Sequence, residues 1–471
     1  MEDKRSYELD LDIIKKDFKF ATEDKIIEGN YNLRHKQRNR FKMLPYTTKK
    51  ENIVLDFYGV IGTFSRNICD KKLKNIFNVD EFIANILDEV EEFEGENSKQ
   101  DLKNIIKTMY INDNKLVNFD IKTMNYIESS THEEKVAEFL FSIFIDSELK
   151  ESISKFYDKP NNNILNRLVL KALPDLSNNK GDIEEYKCYI PFIKELFKKD
   201  IMFLISNEEL YKGSVQRVLE YYNMFYISQL SIKLSQFEKA DLNKPEPLYY
   251  TLSWESTSKN RTAYRLGLEN LKESISCLFS HAIVLELLNC NDSNKQFGYV
   301  DLYELFKDND DMKMAGDIKN LIEEYKKRIC DIKWEGLKEV RDRCDNDVIN
   351  EIYRLFITVN YQFINSKKNR NDLYTNYQNW FMKFIENNFG KRRGSLGYNL
   401  NLTEEDIILL TKICINNNEK LKVSVLFKEF ENRGIFFDRD SKTKIIQLYE
   451  KLNLLEKKSD SGDAQYVKSV L

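Results

Sequence analysis

Apolar residues recur at steps of three and four through most of the middle of the chain. Four segments between residues 117 and 390 show this spacing: EEKVAEFLFSIFI, YIPFIKELFKKDIMFLI, SVQRVLEYYNMFYISQL and AGDIKNLIEEYKKRI. The spacing puts one apolar stripe on an α-helix. It predicts helix after helix in this region, and the lack of a repeat of fixed length argues against a regular solenoid.

Two stretches in the first 116 residues carry different patterns. NIVLDFYGVIGTF (52–64) is largely apolar, so it fits either a helix or a buried strand. DEFIANILDEVEEFEGEN (80–97) has one apolar stripe and eight acidic residues on the rest of its surface. This second pattern predicts an acidic helix.

The helical pattern is interrupted at NKPEPLYYTLSWESTSKNRTAYRLG (243–267), where two prolines end one helix before another begins. Trp254 is typical of a core anchor, and Glu255 and Arg261 are too far apart to pair within one helical turn. These features favour a structural role for the segment. Further on, KRRGSLGYNLNL (391–402) combines three basic residues with two glycines, which predicts a linker and a domain boundary.

Three more helices are predicted after residue 402. Thr403 and Asp406 have the spacing of a capping box at the start of the first. Gly434 stands where the second helix needs a residue in the left-handed conformation. Asp440 or Ser441 is the predicted N-cap of the third helix.

Two short strands, 454–459 and 464–471, follow the third helix around the turn Asp-Ser-Gly-Asp. Three helices and a terminal β-hairpin predict a winged helix-turn-helix with the hairpin as its wing. The expected fold class is mostly α, a multi-helix scaffold with a C-terminal winged helix-turn-helix domain. We divide the chain into an N-terminal region (1–116), a helical core (117–395) and the winged helix-turn-helix (396–471).

Composition limits the classes of function. The 471 residues carry a net charge of -4, so the chain as a whole is not a polyanion-binding protein and any nucleic-acid contact must be local. Seven scattered cysteines without a Cys-x-x-Cys pair favour reduced thiols. With no secretion signal and no long apolar run at the sequence level, we expect a cytoplasmic protein without a membrane partner.

The candidate nucleic-acid-binding residues lie in three basic regions. They are Lys444, Gln447 and Lys451 on the third helix with Lys457 and Lys458 on the wing; Arg34, Lys36, Arg38 and Arg40 in the segment 34–50; and Lys391, Arg392 and Arg393 in the linker. The third helix of such a domain commonly enters the major groove, where Lys and Gln read base edges. The tail has twelve basic and twelve acidic residues between 404 and 468, so docking on a partner protein stays open beside DNA binding.

The segment 34–50 is the stronger electrostatic signal, with seven basic residues, no acid, and Phe41 and Tyr46 between them. This combination suits a phosphate backbone or an acidic protein surface. A solvated helix or a mobile arm is the alternative, and the acidic helix 80–96 could neutralise the segment within the fold.

Catalytic motifs are missing from the sequence. It has no phosphate-binding glycine loop and only three separated histidines, so we expect a non-enzyme without cofactor or metal. One alternative is a metal-dependent nuclease built on Asp175, Glu185 and Lys187. That chemistry needs the Glu-x-Lys on a buried strand so that two carboxylates converge on Mg²⁺, and these residues sit in a polar stretch.

Four phrases of the sequence resemble one known family. They are LPY with DFYGVIGTFSRN near the start, PLYYTLSWESTSKNRTAYRLG, RRGSLG, and NRGIFFDRDSKTKIIQLYEKLNLLEKKSDSGDAQYV near the end. Together they resemble the G component of DNA phosphorothioation-dependent restriction systems, the DptG family. The likeness covers about a quarter of the chain, in the family's order.

The resemblance implies a role in bacterial antiviral defence. Such systems restrict DNA that lacks the phosphorothioate mark, through F, G and H components of which F and H resemble the ATP-using parts. The resemblance therefore implies a non-catalytic assembly and DNA-engaging subunit whose partners are the F and H components and possible duplex DNA. A nuclease subunit and a free-standing winged-helix DNA-binding regulator are the alternatives.

Overall fold

The computed structural model describes residues 7–36, 40–50, 53–179, 181, 183–291, 295–308, 311–367, 369–457 and 465–469. This part of the chain is mostly helical with a few small sheets, which confirms the expected fold class at that level. Its nineteen α-helices, α1 to α19 in chain order, are Leu11–Asp17, Tyr58–Ile68, Val79–Asp88, Ser98–Tyr110, Thr131–Phe144, Ser147–Tyr157, Ile164–Lys171, Pro191–Leu204, Glu208–Gln236, Thr262–Arg265, Leu268–Ser276, Leu278–Leu288, Tyr299–Phe306, Met312–Arg328, Asp347–Asn365, Asn369–Asn388, Glu404–Ile415, Val423–Asn432 and Arg439–Lys451.

The strands are short and form four small sheets. In chain order β1 to β10 are Lys71–Lys72, Ile111–Asn112, Lys115–Leu116, Ser177–Asn178, Thr251–Leu252, Gly390–Arg392, Tyr398–Leu402, Lys420–Lys422, Leu455–Lys457 and Gln465–Lys468. β1 pairs with β4 and β2 with β3, both antiparallel. The other two sheets have three strands each, in the orders β5-β7-β6 and β8-β10-β9.

The main core is built around α9, which has 29 residues and is buried on every side over most of its length. The Tyr and Phe residues of EYYNMFY pack against aromatic rings of α5 and α8. This core is continuous from Leu9 to Val467. It therefore crosses the predicted boundary at 395/396 without a break.

A second, smaller core lies between α3, α4 and α7. Phe82, Ile83 and Ile86 of the acidic helix are buried there against Ile106 and Val169. Its acidic residues lie outside this contact. Because Leu116 and Phe119 also belong to it, the smaller core spans the predicted boundary at 116/117.

The apolar run 52–64 was left undecided by its periodicity. Its described residues, 53–64, form a loop followed by the first part of α2. All of α2 from Gly59 to Ile68 is buried. Its Arg66 is satisfied inside the fold, since it donates hydrogen bonds to the carbonyl oxygens of Asn125 and Ile127. The run is thus a buried helix, whose continuous apolarity reflects contacts on all sides.

Where we expected a linker, the structure has a β-hairpin. β6 pairs antiparallel with β7, with Lys391 opposite Asn399, and β7 pairs in parallel with β5 of the proline-bounded segment. Gly394 and Gly397 both have positive φ and form the tight turn between β6 and β7. Glycines at a left-handed turn look like a flexible linker in composition alone.

Two further observations concern the whole described chain. Each of the seven cysteines is a free thiol. Over the same residues, every helix is too short or too polar to cross a lipid bilayer.

Candidate nucleic-acid interface

Residues 404–457 and 465–469 form a unit that we call the C-terminal unit. Its elements follow the order α17, β8, α18, α19, β9 and β10. β10 lies between its two partners and places Val467 opposite Leu421 on one side and Leu455 on the other. The predicted capping box is present, since Thr403 and Asp406 exchange hydrogen bonds at the start of α17.

The third helix begins earlier than the sequence indicated. Its N-cap is Asp438, whose side chain accepts a hydrogen bond from the backbone N–H of Ser441 at 3.1 Å, so neither Asp440 nor Ser441 is the cap. Arg261 holds Asp438 in this position with an Nη2–Oδ1 distance of 2.5 Å. Burial alone would raise the pKa of the Asp438 carboxyl, but the Arg261 hydrogen bond and the Ser441 N–H together lower it. The cap therefore stays ionised, as favoured at a helix N-terminus.

The two faces of α19 have opposite characters. Ile445, Leu448 and Tyr449 are buried, whereas Leu452 lies past the end of the helix and is 39% exposed. The opposite face is open to solvent. It carries the predicted residues Lys444, Gln447 and Lys451. Arg439, which the sequence analysis missed, is exposed at the first residue of the helix.

The acids of this open face are already paired within the protein. Asp440 lies 3.6 Å from Arg261, and Glu450 lies 2.7 Å from Lys457. Among the ion pairs of the described residues, none involves Arg439, Lys444 or Lys451. The Lys444 ammonium donates a hydrogen bond to Oε1 of the neighbouring Gln447 at 3.3 Å. The face therefore presents more available positive than negative charge.

The predicted wing is only partly described. Lys457 is exposed at the end of β9 and pairs with Glu450. Lys458 and the turn between the strands lie outside the described residues. On β10, Lys468 is exposed, and it adds a basic side chain beside the sheet.

A buried ion pair fixes the C-terminal unit to the helical scaffold. Arg433, at the end of α18, and Asp200 of α8 are 0% and 1% exposed at their side chains. The guanidinium donates from Nη2 to Oδ1 at 2.6 Å and from Nε to Oδ2 at 2.9 Å. Tyr222 of α9 donates its hydroxyl to the same carboxylate at 2.6 Å, and Glu429 accepts from the remaining Nη1. The pair thus joins three helices.

Two other arginines of the scaffold bind the first residues of α17 and α19. Arg217 of α9 contacts Asp406 at 2.6 Å and 3.0 Å, and its guanidinium lies over the ring of Phe389. Arg261 contacts Asp438 and also Glu255, at 3.3 Å. Glu255 and Arg261, which the sequence analysis set apart, are therefore brought together by the third helix.

The basic segment 34–50 is anchored at its centre. Phe41 and Tyr46 are 3% and 4% exposed, and Tyr46 stacks on Trp380. The buried carboxylate of Glu286 accepts the backbone N–H groups of Arg40, at 2.8 Å, and of Phe41. Because both aromatic rings belong to the core, neither is open to stacking with a nucleic-acid base.

The charged side chains of this segment have several environments. Arg40 pairs with Asp17 at 3.3 Å, and Lys42 pairs with Glu184 at 3.8 Å, so these partners are not the acidic helix. Arg34 is exposed and Lys36 is half-buried. Arg38 lies outside the described residues.

The basic residues of the β6–β7 hairpin serve mainly to hold the proline-bounded segment. Lys391 donates to the carbonyl of Ser253. Arg393 donates to the carbonyls of Glu255, at 2.6 Å, and Leu252, at 2.7 Å. Arg392 alone of the three is exposed.

The nuclease alternative finds little support in the geometry. Residues 185–187 are irregular backbone and not a strand, and Lys187 pairs with Asp301 at 2.5 Å. Asp175 is exposed next to β4. Over the part of the chain that the structure describes, no three His, Cys, Asp or Glu side chains are grouped to hold a metal ion.

Some of the residues that the sequence analysis missed have a local signal in the sequence, and others do not. Arg439 could have been found, because it is the first helical residue once Asp438 is taken as the N-cap. The anchoring pairs of Asp200 with Arg433 and of Arg217 with Asp406 join residues 233 and 189 positions apart. No local pattern in the sequence predicts such contacts.

We compared the chain with protein-family models and with curated proteins, and neither comparison gave a match.

Proposed function

We propose that the C-terminal unit is a winged helix-turn-helix that binds duplex DNA through the open face of α19. Its element order, helix, strand, two helices and two strands, is the order of that domain class. A recognition helix in the major groove needs exposed Lys, Arg or Gln residues along one face. Lys444, Gln447 and Lys451 have this exposure and spacing, and Arg439 is exposed at the first residue of the same helix.

The observation that carries the proposal is the pairing of acids on that face. The unit's zero net charge argued for protein docking, but the charges are not evenly distributed. Asp440 lies 3.6 Å from Arg261 of the scaffold, and Glu450 is held by Lys457. The basic residues of the α19 face are therefore free to contact phosphates. Phosphate contacts are the main source of affinity for DNA.

The rest of the chain acts in this proposal as a rigid, non-catalytic scaffold. Together with the resemblance to the DptG family, this supports an assembly and DNA-engaging subunit of a phosphorothioation-dependent restriction complex in bacterial antiviral defence. The F and H components would supply ATP-driven work on unmodified DNA, and this chain would hold the duplex. The proposal places it in the cytoplasm, where such DNA enters.

The DNA contact is tested with the double variant Lys444→Glu, Lys451→Glu. We expect at least about a tenfold loss of affinity for a 30-bp duplex at fixed salt, and a salt slope lower by about two, since each phosphate contact contributes close to one. Affinity is measured by fluorescence anisotropy over a salt series.

The matched control is Lys319→Glu, Lys326→Glu on α14, which has the same seven-residue spacing and the same change of charge. An unchanged binding curve in the α19 variant, or an equal loss in both variants, would refute the contact. Membership of the complex is tested by tagging this chain and co-expressing it with the F and H components. Retention through roughly 300–500 mM salt, where surface charge contacts are screened, supports the scaffold; elution of this chain alone refutes it.

A further inference from the structure

Residues 256–260 form a loop of the proline-bounded segment, which we call the scaffold loop. It is irregular backbone between β5 and α10. A cleft of about 440 Å³ separates it from α19, with Ser256 and Ser258 on one wall and Thr443 and Lys444 on the other. Lys444, whose DNA contact is proposed above, therefore shares this cleft with a part of the scaffold that has no role in that contact.

The carbonyl groups of the scaffold loop hold it in place. The guanidinium of Arg261 donates a hydrogen bond to the carbonyl of Ser256 at 2.7 Å, and the backbone N–H of Arg261 donates to the carbonyl of Ser258 at 3.2 Å. Arg261 also donates to Asp438, the N-cap of α19. One arginine therefore fixes both the loop and the start of α19.

The hydrogen-bond donors of the scaffold loop are not used within the part of the chain that the structure describes. There, no hydrogen bond is donated by the backbone N–H groups of residues 256–260, and none involves the hydroxyl groups of Ser256 or Ser258. Both serines are exposed. Hydroxyl and backbone N–H groups are common partners of DNA phosphates. The loop thus presents exposed donors of the kind that bind a phosphate.

The charge of the chain around this loop is positive. Residues 256–268 contain Lys259, Arg261 and Arg265 and no acidic residue. Lys259 and Arg265 are exposed, and neither forms an ion pair with another described residue. Asp440 lies on the α19 wall of the cleft, 3.6 Å from Arg261. Lys259, next to Ser258 in the chain, therefore adds a free positive charge on the loop side.

The position of the loop beside α19 favours DNA as its partner. The N-terminal residues of a recognition helix contact base edges in the major groove, and the cleft lies along the first two turns of α19, at Asp440, Thr443 and Lys444. An element beside these turns lies close to the sugar-phosphate backbone that borders the groove. Backbone contacts of this kind fix the orientation of a protein on the duplex.

We propose that the scaffold loop is a second DNA contact, in which Lys259 and the donors of Ser256 and Ser258 bind phosphates beside the groove that α19 enters. This inference rests on the DNA contact proposed for α19, and it adds that the scaffold itself touches the duplex. Phosphates carry no base identity, so the contact contributes affinity and orientation without reading the DNA sequence.

The test is Lys259→Glu in the full-length chain, measured by fluorescence anisotropy with the same duplex and salt series as the α19 variant. We expect a loss of affinity of about three- to tenfold at about 150 mM salt and a salt slope lower by about one. Lys319→Glu, at an exposed lysine of α14, is the matched control and should bind as the parent does.

Photo-crosslinking separates direct contact from long-range attraction. p-Benzoylphenylalanine in place of Ser258 should crosslink to the duplex on irradiation, whereas the same group in place of Lys319 should not. A chain substituted at Ser258 that binds the duplex without crosslinking to it would refute the loop contact.

The two proposals fail separately. If the α19 variant loses affinity and Lys259→Glu binds as the parent does, the scaffold loop alone is refuted. If neither variant changes the binding curve, the proposed DNA contact of α19 is refuted as well. If Lys259→Glu releases the F and H components in the co-purification and leaves DNA binding unchanged, the loop belongs to a protein interface and the inference is overturned.

Discussion

The buried pair of Arg433 and Asp200 should control how firmly the C-terminal unit is held. The perturbation is Asp200→Asn, which keeps the shape of the side chain and removes its charge. Asp200 accepts three hydrogen bonds, two from Arg433 and one from Tyr222. Among the described residues, Glu429 is then the one carboxylate still paired with the fully buried guanidinium.

The magnitude follows from the environment of the pair. Removing one partner of a buried ion pair costs about 3–5 kcal/mol, because the other charge stays desolvated. Glu429 is 23% exposed and keeps one contact with Arg433, so we expect about 3 kcal/mol, at the lower end of that range. A loss of this size corresponds to roughly a hundredfold increase in the population of the opened unit.

The assay is native-state hydrogen exchange on peptides from α18 and α19, because a chain of this size does not guarantee two-state unfolding. We expect exchange in α18 to accelerate about a hundredfold in Asp200→Asn. The control is Lys199→Ala on the same helix. Its ammonium lies 4.0 Å from Glu429 and its side chain is 53% exposed, so its effect should stay below about 1 kcal/mol. Equal exchange rates in the two variants would refute the reasoning.

Two further predictions concern stability. Gly434→Ala should destabilise the chain by about 2 kcal/mol or more, because φ is 73° and the added methyl overlaps the ring of Phe225. The control Gly397→Ala has φ 74° but lies in open space, so it should cost only about 1 kcal/mol. Equal urea midpoints for the two variants would contradict the packing argument. Burial lowers the pKa of His281 from 6.5 to about 3, so the unfolded chain takes up a proton that the folded chain does not, and the free energy of unfolding should fall by up to about 1.4 kcal/mol per unit as pH drops from 6.5 towards 3. His281→Phe should make the free energy of unfolding depend less on pH between 6.5 and 3. If it fell equally steeply with pH in the parent and in His281→Phe, a neutral, buried imidazole would be contradicted.

Local signals in the sequence were enough to predict the helices of the C-terminal unit. The capping box of Thr403 and Asp406 and the left-handed Gly434 depend on residues within one or two turns. The error at the start of α19 has a long-range cause. Asp438 is the cap because Arg261, 177 positions earlier, holds its carboxylate, and a capping pattern read from neighbours alone cannot weigh that contact.

The basic segment shows a different limit. Seven bases and two aromatics in 17 residues are typical of a nucleic-acid contact, but the pattern is the same for a segment that crosses a core. The carboxylate of Glu286 accepts two backbone N–H groups near Arg40, which fixes the chain so that Phe41 and Tyr46 point inward. Charge composition predicts that a segment can lie at the surface. Which of its side chains are exposed depends on the buried group that fixes its backbone, here the Glu286 carboxylate.

The same reasoning explains why a unit of zero net charge can present a basic surface. The net charge counts Asp406, Asp438 and Arg433 equally with Lys444 and Lys451, although the first three form ion pairs with residues of the scaffold. The arginines of α9 and of the segment before α10 compensate acids at the first turns of α17 and α19. The scaffold therefore does more than position α19, because Arg261 also lies 3.6 Å from Asp440 on the open face of that helix. If this is right, the C-terminal unit separated from residues 1–396 should bind DNA more weakly than the full chain even where it folds, because Asp406 and Asp438 would then face solvent unpaired.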